Sequence, residues 1–298
     1  MKAVTKVIFL DQNGEKFFGE GPARLLRGIE KTGSLRASAM AMNMAYTKAL
    51  KLLNNAEKAL GFSLTTRTTG GKSGGGSALT PEGIAWLRRY EACTAECAKA
   101  NQQLIRKFFP NVGCVIMASG LGKRFGSNKL MADFQGKPMI LQALQASEGL
   151  SNHRVVVTRH EEIAALCRQQ GVKVLLHDLP HRSDTVRLGL EALEDLDGCL
   201  FLPADQPLLR RKTIDNLVQQ WTQNQEAILR PVCNGTPGSP VLFPKWTFAE
   251  LLSLPEGKGG GWVMKNHPEA ITELPIADPY ELMDADTPET LALLELHS

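Results

Sequence analysis

The sequence contains no long apolar run and no Cys-x-x-Cys pair, and each absence excludes a class of protein. No uninterrupted apolar stretch approaches the roughly 18 residues of a membrane-spanning helix, so we expect no membrane partner. The six cysteines are scattered without a Cys-x-x-Cys pair, which favours a reduced protein without structural zinc. The N-terminus lacks the basic start, apolar core and cleavage site of an export signal. We therefore expect a cytoplasmic protein.

The charge of the chain is distributed unevenly. The 298 residues carry a net charge of +3, a length that predicts one or two domains. Residues 1–110 hold 17 basic and 8 acidic side chains, for a net +9, whereas residues 111–298 hold 17 and 23, for a net −6. We predict a domain over 1–110 and a domain over 111–298 with different partners. The basic one suits a nucleic acid, although excess charge also serves solubility alone.

The most informative segment is the glycine loop, residues 117–129, which is rich in glycine and basic residues. It follows an apolar stretch from Val112 to Met117 that predicts a buried strand. The glycines allow a tight turn and a close approach of the backbone to a ligand. Basic side chains around exposed backbone N–H groups suit a polyphosphate. The loop is neither a Walker A loop nor the Gly-x-Gly-x-x-Gly dinucleotide motif.

The glycine loop resembles the signature of the nucleotidyltransferases that act on the molybdenum cofactor, roughly Leu-Ala-Ala/Gly-Gly-x-x-x-Arg-Met-Gly-x-x-Lys. The matching residues are Ala118, Gly120, Arg124, Gly126 and Lys129, and the departures are Met117, Ser119 and Phe125. The resemblance implies that Arg124 and Lys129 are catalytic. The nucleotide-binding set that it implies consists of Ala118, Ser119, Gly120, Gly122, Lys123, Gly126 and Lys129.

A candidate metal ligand follows a second predicted buried strand, Cys199 to Leu202. Asp205 lies in the segment Pro-Ala-Asp-Gln-Pro, and a carboxylate there would hold Mg²⁺, a hard cation that favours oxygen ligands. A lone Asp after a strand is more commonly a helix cap or a turn residue. The segment, however, resembles the Gly-Asp-x-Pro metal site of the same transferases, with Ala204 in place of Gly. That resemblance implies that Asp205 is catalytic and binds the metal.

Two later segments extend the resemblance. The run from Gly235 to Phe243 resembles the family's Gly-x-x-Gly-x-Pro-Val-Leu-Phe segment, which lines the pterin side. It implies a substrate-binding set of Gly238, Ser239 and Pro240. The run from Leu282 to Glu289 resembles the closing Asp-x-Asp-Thr-Pro-Glu motif, so that Asp284 or Asp286 would complete the metal shell. Alternatively, Asp286 or Thr287 only caps the final helix, with Pro288 in its first turn.

Three further features of the C-terminal half give weaker indications of function. Ser183-Asp184-Thr185 either touches the nucleotide or caps a helix. Residues 257–261 predict a mobile loop over the substrate. Histidines without metal-ligand spacing are predicted to be surface or packing residues: His153, His160, His177, His181 and His267.

The order of predicted elements indicates the fold of this half. Past the glycine loop, helices predicted at 138–150, 161–170, 183–196 and 212–223 alternate with strands predicted at 154–158, 173–176 and 199–202. This alternation implies an α/β domain with a mostly parallel sheet covered on both faces. By resemblance this is a Rossmann-like nucleotidyltransferase domain. Ligands in such sheets bind beyond the carboxyl ends of the strands, where the glycine loop and Asp205 would meet.

The N-terminal half has the outline of a winged helix-turn-helix domain. A short predicted helix, Leu35 to Met42, is joined by a turn to a longer one, Met44 to Leu60, and a glycine-rich tip at 69–77 lies between two predicted strands. The motifs Gly-Ser-Leu at 33–35, Ala-Tyr-x-x-Ala at 45–49, Thr-Gly-Gly-Lys at 69–72 and Leu-Thr-x-x-Gly at 79–83 resemble the DNA-binding domain of the molybdate-responsive regulators. The implied DNA contacts are Tyr46, Lys48, Lys51, Arg67 and Lys72.

The same resemblance leaves the role of this half open between two interpretations. Those regulators often have Ser before the tyrosine, where this chain has Ala45 and loses one phosphate contact. The half would then serve either as a module that binds duplex DNA or as one that only dimerises. A long predicted helix, Glu82 to Lys107, would join the domains and pair with its copy in a homodimer.

Taken together, the resemblances imply an enzyme that transfers CMP from CTP to molybdopterin with Mg²⁺ and releases pyrophosphate. CTP is favoured over GTP because guanylyltransferases of the family tend to have Gly-Gly where this chain has Ala118-Ser119. A guanylyltransferase that uses GTP is the first alternative. The second is a transcriptional regulator whose transferase-like half only senses nucleotide or cofactor.

Overall fold

The computed structural model describes residues 4–67, 76–120, 125 and 128–298. It divides into two compact units, Met1–Ile105 and Arg106–Ser298. The predicted boundary at residue 110 lies five residues further along the chain. Among the described residues, no helix is both long enough and apolar enough to cross a membrane.

The first unit consists of helices and two short hairpins. The described helices are α1 (Glu20–Thr32), α2 (Leu35–Ala41), α3 (Tyr46–Leu60) and α4, which begins in this unit (Pro81–Phe108). The strands are β1 (Phe9–Leu10), β2 (Lys16–Phe18), β3 (Thr65–Arg67) and β4 (Ser77–Leu79). Strand β1 pairs with β2, and β3 with β4, both antiparallel. The glycine-rich tip between β3 and β4 lies outside the described residues apart from its end.

Local sequence explains where these helices begin and end. Ser34 caps α2, because its side chain accepts a hydrogen bond from the Ala37 N–H at 3.3 Å. Gly33 ends α1 with φ at +66°, a left-handed conformation that favours glycine. Ala45 is the N-cap of α3 and offers no side-chain hydrogen bond there, so the absent Ser leaves this helix uncapped. The apolar faces of the helices then meet in one core with Phe18 and Leu87.

The second unit contains one large sheet and a separate two-stranded antiparallel hairpin between residues 133 and 138. Its strands are β5 (Val112–Ala118), β6 (Asp133–Phe134), β7 (Lys137–Pro138), β8 (Arg154–Thr158), β9 (Lys173–Leu176), β10 (Gly198–Pro203), β11 (Ile228–Cys233), β12 (Thr236–Pro237), β13 (Val241–Pro244) and β14 (Ile271–Pro275). Its helices are α5 (Ile140–Ala146), α6 (Glu161–Gln169), α7 (Arg182–Glu191), α8 (Arg211–Gln223), α9 (Phe248–Leu252), α10 (Gly260–Asn266) and α11 (Pro288–Glu295).

The order of the strands places β10 at the centre of the sheet, with β5 beside it. Within the described residues the sheet runs β12-β11-β13-β10-β5-β8-β9, with β14 beside β11. Strands β9, β8, β5 and β10 are parallel, and β13 is antiparallel to both neighbours. Separate apolar cores cover the two faces of the sheet. The prediction of an α/β fold with a mostly parallel sheet is confirmed.

Two predicted helices are shorter than expected. The helix predicted from 138 to 150 is α5 followed by a 3-10 segment, Glu148–His153. The helix predicted from 183 to 196 ends at Glu191. The apolar spacing extends beyond the end of the helix because Leu193 and Leu196 pack against β5. A Cβ added at Gly113 in β5 would lie 3.0 Å from the Leu193 side chain and 2.6 Å from that of Leu196. These leucines are therefore core residues of the turn after the helix.

Candidate active site

The carboxyl ends of β5 and β10 lie side by side and open into one cavity. In the parallel pairing of these strands, Pro203 is opposite Met117, so the chain leaves both strands at the same edge. This main cavity has a volume of about 690 Å³. The described residues that line it are Met117, Ser119, Gly120, Lys129, Arg159, Leu179, Pro180, His181, Arg182, Thr185, Pro203, Asp205, Ser239, Asp284 and Asp286.

The structure brings many of the predicted site residues to this cavity. Ser119, Gly120 and Lys129 of the nucleotide set line it, as do Ser239 and the three predicted metal ligands. Ala118 is buried in β5 and contributes no cavity surface. Gly238 and Pro240 flank Ser239 without lining the main cavity. The predicted residues Gly122, Lys123, Arg124 and Gly126 lie outside the described residues.

Lys129 forms the centre of a charged cluster in the cavity wall. Its side chain is nearly buried, and its Nζ donates to Asp205 at 2.6 Å and to Asp286 at 2.9 Å. Burial alone would lower the pKa of Lys129, but the two carboxylates outweigh it and raise the pKa above its ordinary value. The ammonium group therefore stays charged and joins two acidic segments that are far apart in the sequence.

Asp284 is the third carboxylate of this cluster and lies in a different environment. Although it is exposed to the cavity, desolvation by the surrounding protein raises the pKa of its carboxyl, and the charge of Asp205 adds to the rise. Gln206 opposes this effect by donating its side-chain N–H to Asp284 at 3.0 Å. The same amide nitrogen donates to the Leu282 carbonyl at 3.1 Å. Gln206 thus ties the segment after β10 to the segment before α11.

The acidic side chains of this cluster suit a divalent cation, but the Lys129 ammonium group lies between two of them. Its donor atoms are carboxylate oxygens, the ligands that Mg²⁺ and Mn²⁺ favour. Among the described residues, however, no three acidic, histidine or cysteine side chains are already arranged to hold a metal ion. Asp205 and Asp286 share the ammonium group of Lys129 instead. A dication bound by the same two oxygens, Asp205 Oδ2 and Asp286 Oδ1, would have to displace that ammonium group.

The alternative interpretation of the closing motif is correct for the neighbour of Asp286. Thr287 is the N-cap of α11, where its hydroxyl accepts a hydrogen bond from the Thr290 N–H at 3.2 Å. Pro288 occupies the first turn. The cap holds the N-terminus of α11 directly beside the residue that pairs with Lys129.

Ser119, a departure from the family signature, is fixed to two neighbouring strands. Its hydroxyl donates to the Val157 carbonyl at 3.1 Å and lies 2.8 Å from the Nε2 atom of His177. His160 contacts the Gly120 carbonyl through Nε2 at 3.1 Å. These bonds attach the beginning of the glycine loop to the ends of β8 and β9.

Two of the histidines predicted to be surface or packing residues, His177 and His181, lie at the site. His177 is half-buried and packs against Ser119, and its Nδ1 atom is buried without a hydrogen-bond partner among the described residues. Burial lowers the pKa of His177, and the nearby Arg159 guanidinium lowers it further. His181 lines the main cavity. The spacing of histidines gave no sign of this, because each follows a strand end whose position depends on the sheet.

Sequence patterns also missed two arginines of the cavity. Arg159 follows β8, and Arg182 is the first residue of α7. Thr185, in the segment with two open interpretations, is buried and lines the cavity, whereas the Asp184 carboxylate accepts from the His181 N–H at 3.0 Å as a helix cap. Their positions could have indicated a role in the site, because Arg159 directly follows a strand and Arg182 begins a helix at the carboxyl edge of the sheet.

The glycines at 257–261 are placed near the cavity, and their predicted mobility stays a prediction. Gly260 begins α10 against the ring of Phe243, where an added Cβ would lie only 2.5 Å from a ring carbon. Gly260 and Gly261 line a small pocket that borders the main cavity.

The predicted DNA contacts lie together in the first unit. Tyr46, Lys48 and Lys51 are exposed on α3, with 45% of Tyr46 accessible to solvent. Arg67 ends β3 and donates to the Asn54 side chain at 3.1 Å. Lys72 lies outside the described residues.

Comparison with known families decides the class of the second unit. A family model described as a MobA-like NTP transferase domain matches residues 114–271, which is more than half of the chain. The chain belongs to this family. The matched residues include the start of the glycine loop, Lys129 and Asp205.

The chain is similar to curated relatives that are named for two different nucleotides. A probable molybdenum cofactor guanylyltransferase from Bacillus licheniformis is 33% identical over 125 residues, which cover 41% of this chain and 62% of that protein. The molybdenum cofactor cytidylyltransferase of Escherichia coli is 22% identical over 185 residues, 60% of this chain and 92% of that protein. The chain thus spans less than two thirds of the first relative's length.

A solved structure shows the same fold as this MobA-like domain. The protein Rv0371c from Mycobacterium tuberculosis, crystallised with manganese, superposes with a TM-score of 0.53 at 18% identity. The match covers 63% of this chain and all of that chain. At this identity the likeness establishes the fold of the second unit.

Proposed function

We propose that the protein transfers a nucleotidyl group from CTP to the terminal phosphate of molybdopterin. The observation that carries this proposal is the cluster of Lys129, Asp205 and Asp286 at the carboxyl ends of β5 and β10, within a cavity of about 690 Å³. The family membership supports nucleotidyl transfer, and relatives that act on the molybdenum cofactor support the acceptor.

The reaction needs positioning and charge neutralisation more than a general base. An anionic phosphate oxygen of the acceptor forms a bond to the α-phosphorus in line, and the bond from that phosphorus to the bridging oxygen breaks. Pyrophosphate leaves with the electron pair of the broken bond. Because the nucleophile is already deprotonated at neutral pH, no side chain has to accept a proton. Lys129 and the basic residues of the glycine loop would hold the phosphates.

A divalent cation suits the carboxylates of this site. Asp205, with Asp284 or Asp286, would hold Mg²⁺ or Mn²⁺, and such an ion neutralises the charge of nucleotide phosphates. The manganese complex of Rv0371c supports a divalent metal in this fold. Lys129 would then exchange its contact with Asp205 for a phosphate when the nucleotide enters.

The choice of CTP over GTP rests on residues at the start of the glycine loop. Ala118-Ser119 departs from the Gly-Gly of guanylyltransferases, and the Ser119 side chain lines the cavity. The cytidylyltransferase relative covers more of this chain than the guanylyltransferase does, although its identity is lower. GTP remains the alternative substrate.

Purified protein with Mg²⁺, molybdopterin and each of the four nucleotides provides the test. We expect pyrophosphate release with CTP, and Asp205→Asn should lower the rate by at least about 100-fold, the scale of losing one electrostatic contact to a transition state. Asp215→Asn is the matched control, because Asp215 is exposed on α8 and pairs with Arg211. Nucleotide binding without turnover under all conditions would favour the sensor alternative instead.

We further propose that the first unit binds duplex DNA through α3. Exposed Tyr46, Lys48 and Lys51 on one helix, within a half of net charge +9, support contacts to a phosphate backbone. Binding should weaken steeply as salt rises from 50 to 200 mM, since each neutralised phosphate releases counterions. Analytical ultracentrifugation of the same sample provides the control. A stable dimer without salt-sensitive DNA binding would select the dimerisation module.

A further inference from the structure

The two cysteines of α4 differ from the other cysteines of the chain in their surroundings. Four cysteines are buried in the second unit: Cys114, Cys167, Cys199 and Cys233. Burial raises the pKa of the Cys114 thiol to about 12 and that of the Cys167 thiol to about 11, so these groups stay protonated. Cys93 is exposed and Cys97 is half-buried. They are therefore the most accessible thiols of the protein.

Packing does not explain this pair of cysteines. Tyr90 is the last buried residue of α4, and every side chain from Glu91 to Ile105 is exposed or half-buried. This part of the helix is about four turns long and contributes no member to the core of the first unit. Cysteine is commonly a buried residue, and its reactivity more than its packing usually decides its role. Two accessible cysteines on one helix therefore point to chemistry.

The spacing of Cys93 and Cys97 places both thiols on one side of α4. Residues four apart in an α-helix are neighbours on its surface, with Cβ atoms about 5–6 Å apart. The pKa of Cys97 is raised, first by desolvation and then by the neighbouring Cys93 thiol, so the two groups are close enough to act on each other. A single atom between the two sulfur atoms can contact both.

The charges around this pair favour a cation over a nucleophilic thiolate. Reactive cysteines generally lie beside a positive charge that lowers the pKa of the thiol. Here the Glu96 carboxylate adds a negative charge that raises the pKa of Cys97 further, and the Lys99 ammonium group is paired with Glu96 at 2.7 Å. A cation bound by both sulfur atoms would offset the repulsion between two thiolates and this carboxylate.

We propose that Cys93 and Cys97 bind one soft metal cation of the class of Cu⁺ within a single chain. Thiolates are the ligands that soft cations favour. Among the described residues, no three acidic, histidine or cysteine side chains are arranged to hold a metal ion, which disfavours Zn²⁺ with its four ligands. Cu⁺ accepts two thiolates as its only ligands. Both thiol protons pass to solvent on binding, and the complex carries a charge of −1. This site is independent of the proposed nucleotidyl transfer.

Anaerobic titration of the full chain with Cu⁺ held by a competing chelator tests this site. We expect one ion per chain. Cys97→Ser should weaken binding by at least about 100-fold, because loss of a group that only supports a ligand already costs about 10–100-fold. Cys233→Ala removes a buried thiol of the second unit and should retain the wild-type affinity. Wild-type affinity in Cys97→Ser, or a ratio of one ion to two chains, would overturn the proposal.

A displaced thiol tests the geometry while the number of thiols stays the same. Cys97→Ala combined with Ala98→Cys separates the two cysteines by five positions, or about 140° around the helix. Neither position is buried, so the melting temperature should stay close to that of the wild-type protein. The double variant should bind Cu⁺ as weakly as Cys97→Ser. Wild-type affinity in the double variant would mean that the thiols bind the ion independently, against the proposed site.

Phenylarsine oxide gives a second readout of the distance between the thiols. Its trivalent arsenic forms bonds to two sulfur atoms, and its oxygen leaves as water with the two thiol protons. Intact mass spectrometry of the folded protein should show one adduct that survives a wash with a monothiol, in the wild type and in Cys233→Ala. The adduct should be lost in Cys97→Ser and in the double variant. A wild-type protein without this adduct would refute the site.

Discussion

At the scale of single residues, the site depends on which cations are already paired. Lys129 was expected to contact phosphate, and the structure shows it between Asp205 and Asp286. A lysine in this position holds two acidic side chains from distant segments together. Its partners are 76 and 157 residues away in the sequence, so motif matching predicted the members of the cluster but not their pairing.

His177 provides a prediction about pH at the same scale. Burial first, and then the charge of Arg159, lower its pKa in the folded protein, while Asp184 and Asp178 oppose the effect more weakly. In the unfolded chain a histidine titrates near 6.5. Between the two pKa values the unfolded chain binds more protons, so folding stability should fall as the pH drops through about 6.5.

Replacement of this histidine should remove part of that pH dependence. In His177→Gln the melting temperature should decrease less between pH 7.5 and pH 5 than in the wild-type protein, because no imidazole has to be kept neutral. Differential scanning fluorimetry across this range measures the difference. His153→Gln serves as the control, since His153 does not line the main cavity. An identical pH profile in wild type and His177→Gln would show that the buried ring contributes nothing.

At the scale of elements, the sequence predicted strands better than helix ends. Strands β8 and β9 have the predicted bounds, because short apolar runs between polar turns leave little choice. Helix α7 was predicted five residues too long, since Leu193 and Leu196 keep apolar spacing in the turn that packs near Gly113. Arg182 and His177 could not be identified as site residues without the strand order, which alone determines which strand ends are neighbours.

The contact between α7 and β5 yields a prediction about stability. Gly189 of α7 faces Val115, and an added Cβ would lie 2.3 Å and 2.8 Å from its two methyl groups. Gly189→Ala should therefore destabilise the protein by about 1–3 kcal/mol, as overpacking in a close-packed core does. Urea unfolding monitored by circular dichroism gives the value.

A second helical glycine separates packing from helix propensity in this experiment. At Gly261 of α10 no atom of the described residues lies within 4 Å of an added Cβ, so Gly261→Ala should be neutral or stabilising by up to about 1 kcal/mol. Comparable destabilisation by both substitutions would mean that backbone effects, and not the contact with Val115, govern Gly189.

At the scale of the whole molecule, the two units carry separate cores and opposite charge. The core of the first unit is built from its own helices, and the two cores of the second cover the faces of one sheet. Residues 1–110 and 111–298 carry net charges of +9 and −6, and the two compact units divide after Ile105. Composition could indicate two parts with different partners because charge is a bulk property, whereas the partners themselves depend on a few side chains.

Because the two proposed binding sites lie in different units, a substitution in one unit should abolish binding of one ligand and leave binding of the other unchanged. All described residues of the main cavity belong to Arg106–Ser298, and the proposed DNA contacts belong to Met1–Ile105. Asp205→Asn should abolish the increase in melting temperature caused by Mg-CTP, because a ligand stabilises only the state that binds it. Its salt-dependent DNA binding should be unchanged.

The reciprocal variant completes the comparison. Lys48→Glu with Lys51→Glu should abolish DNA binding, because two attractive charges become repulsive near the phosphate backbone. The shift with Mg-CTP and the release of pyrophosphate should stay at the wild-type level. Fluorescence anisotropy with labelled duplex DNA and fluorimetry with Mg-CTP, both on the full chain, measure the two affinities. If either variant lost both ligands while its melting temperature without ligand remained normal, binding in the two units would be coupled and the independent-site description would be wrong.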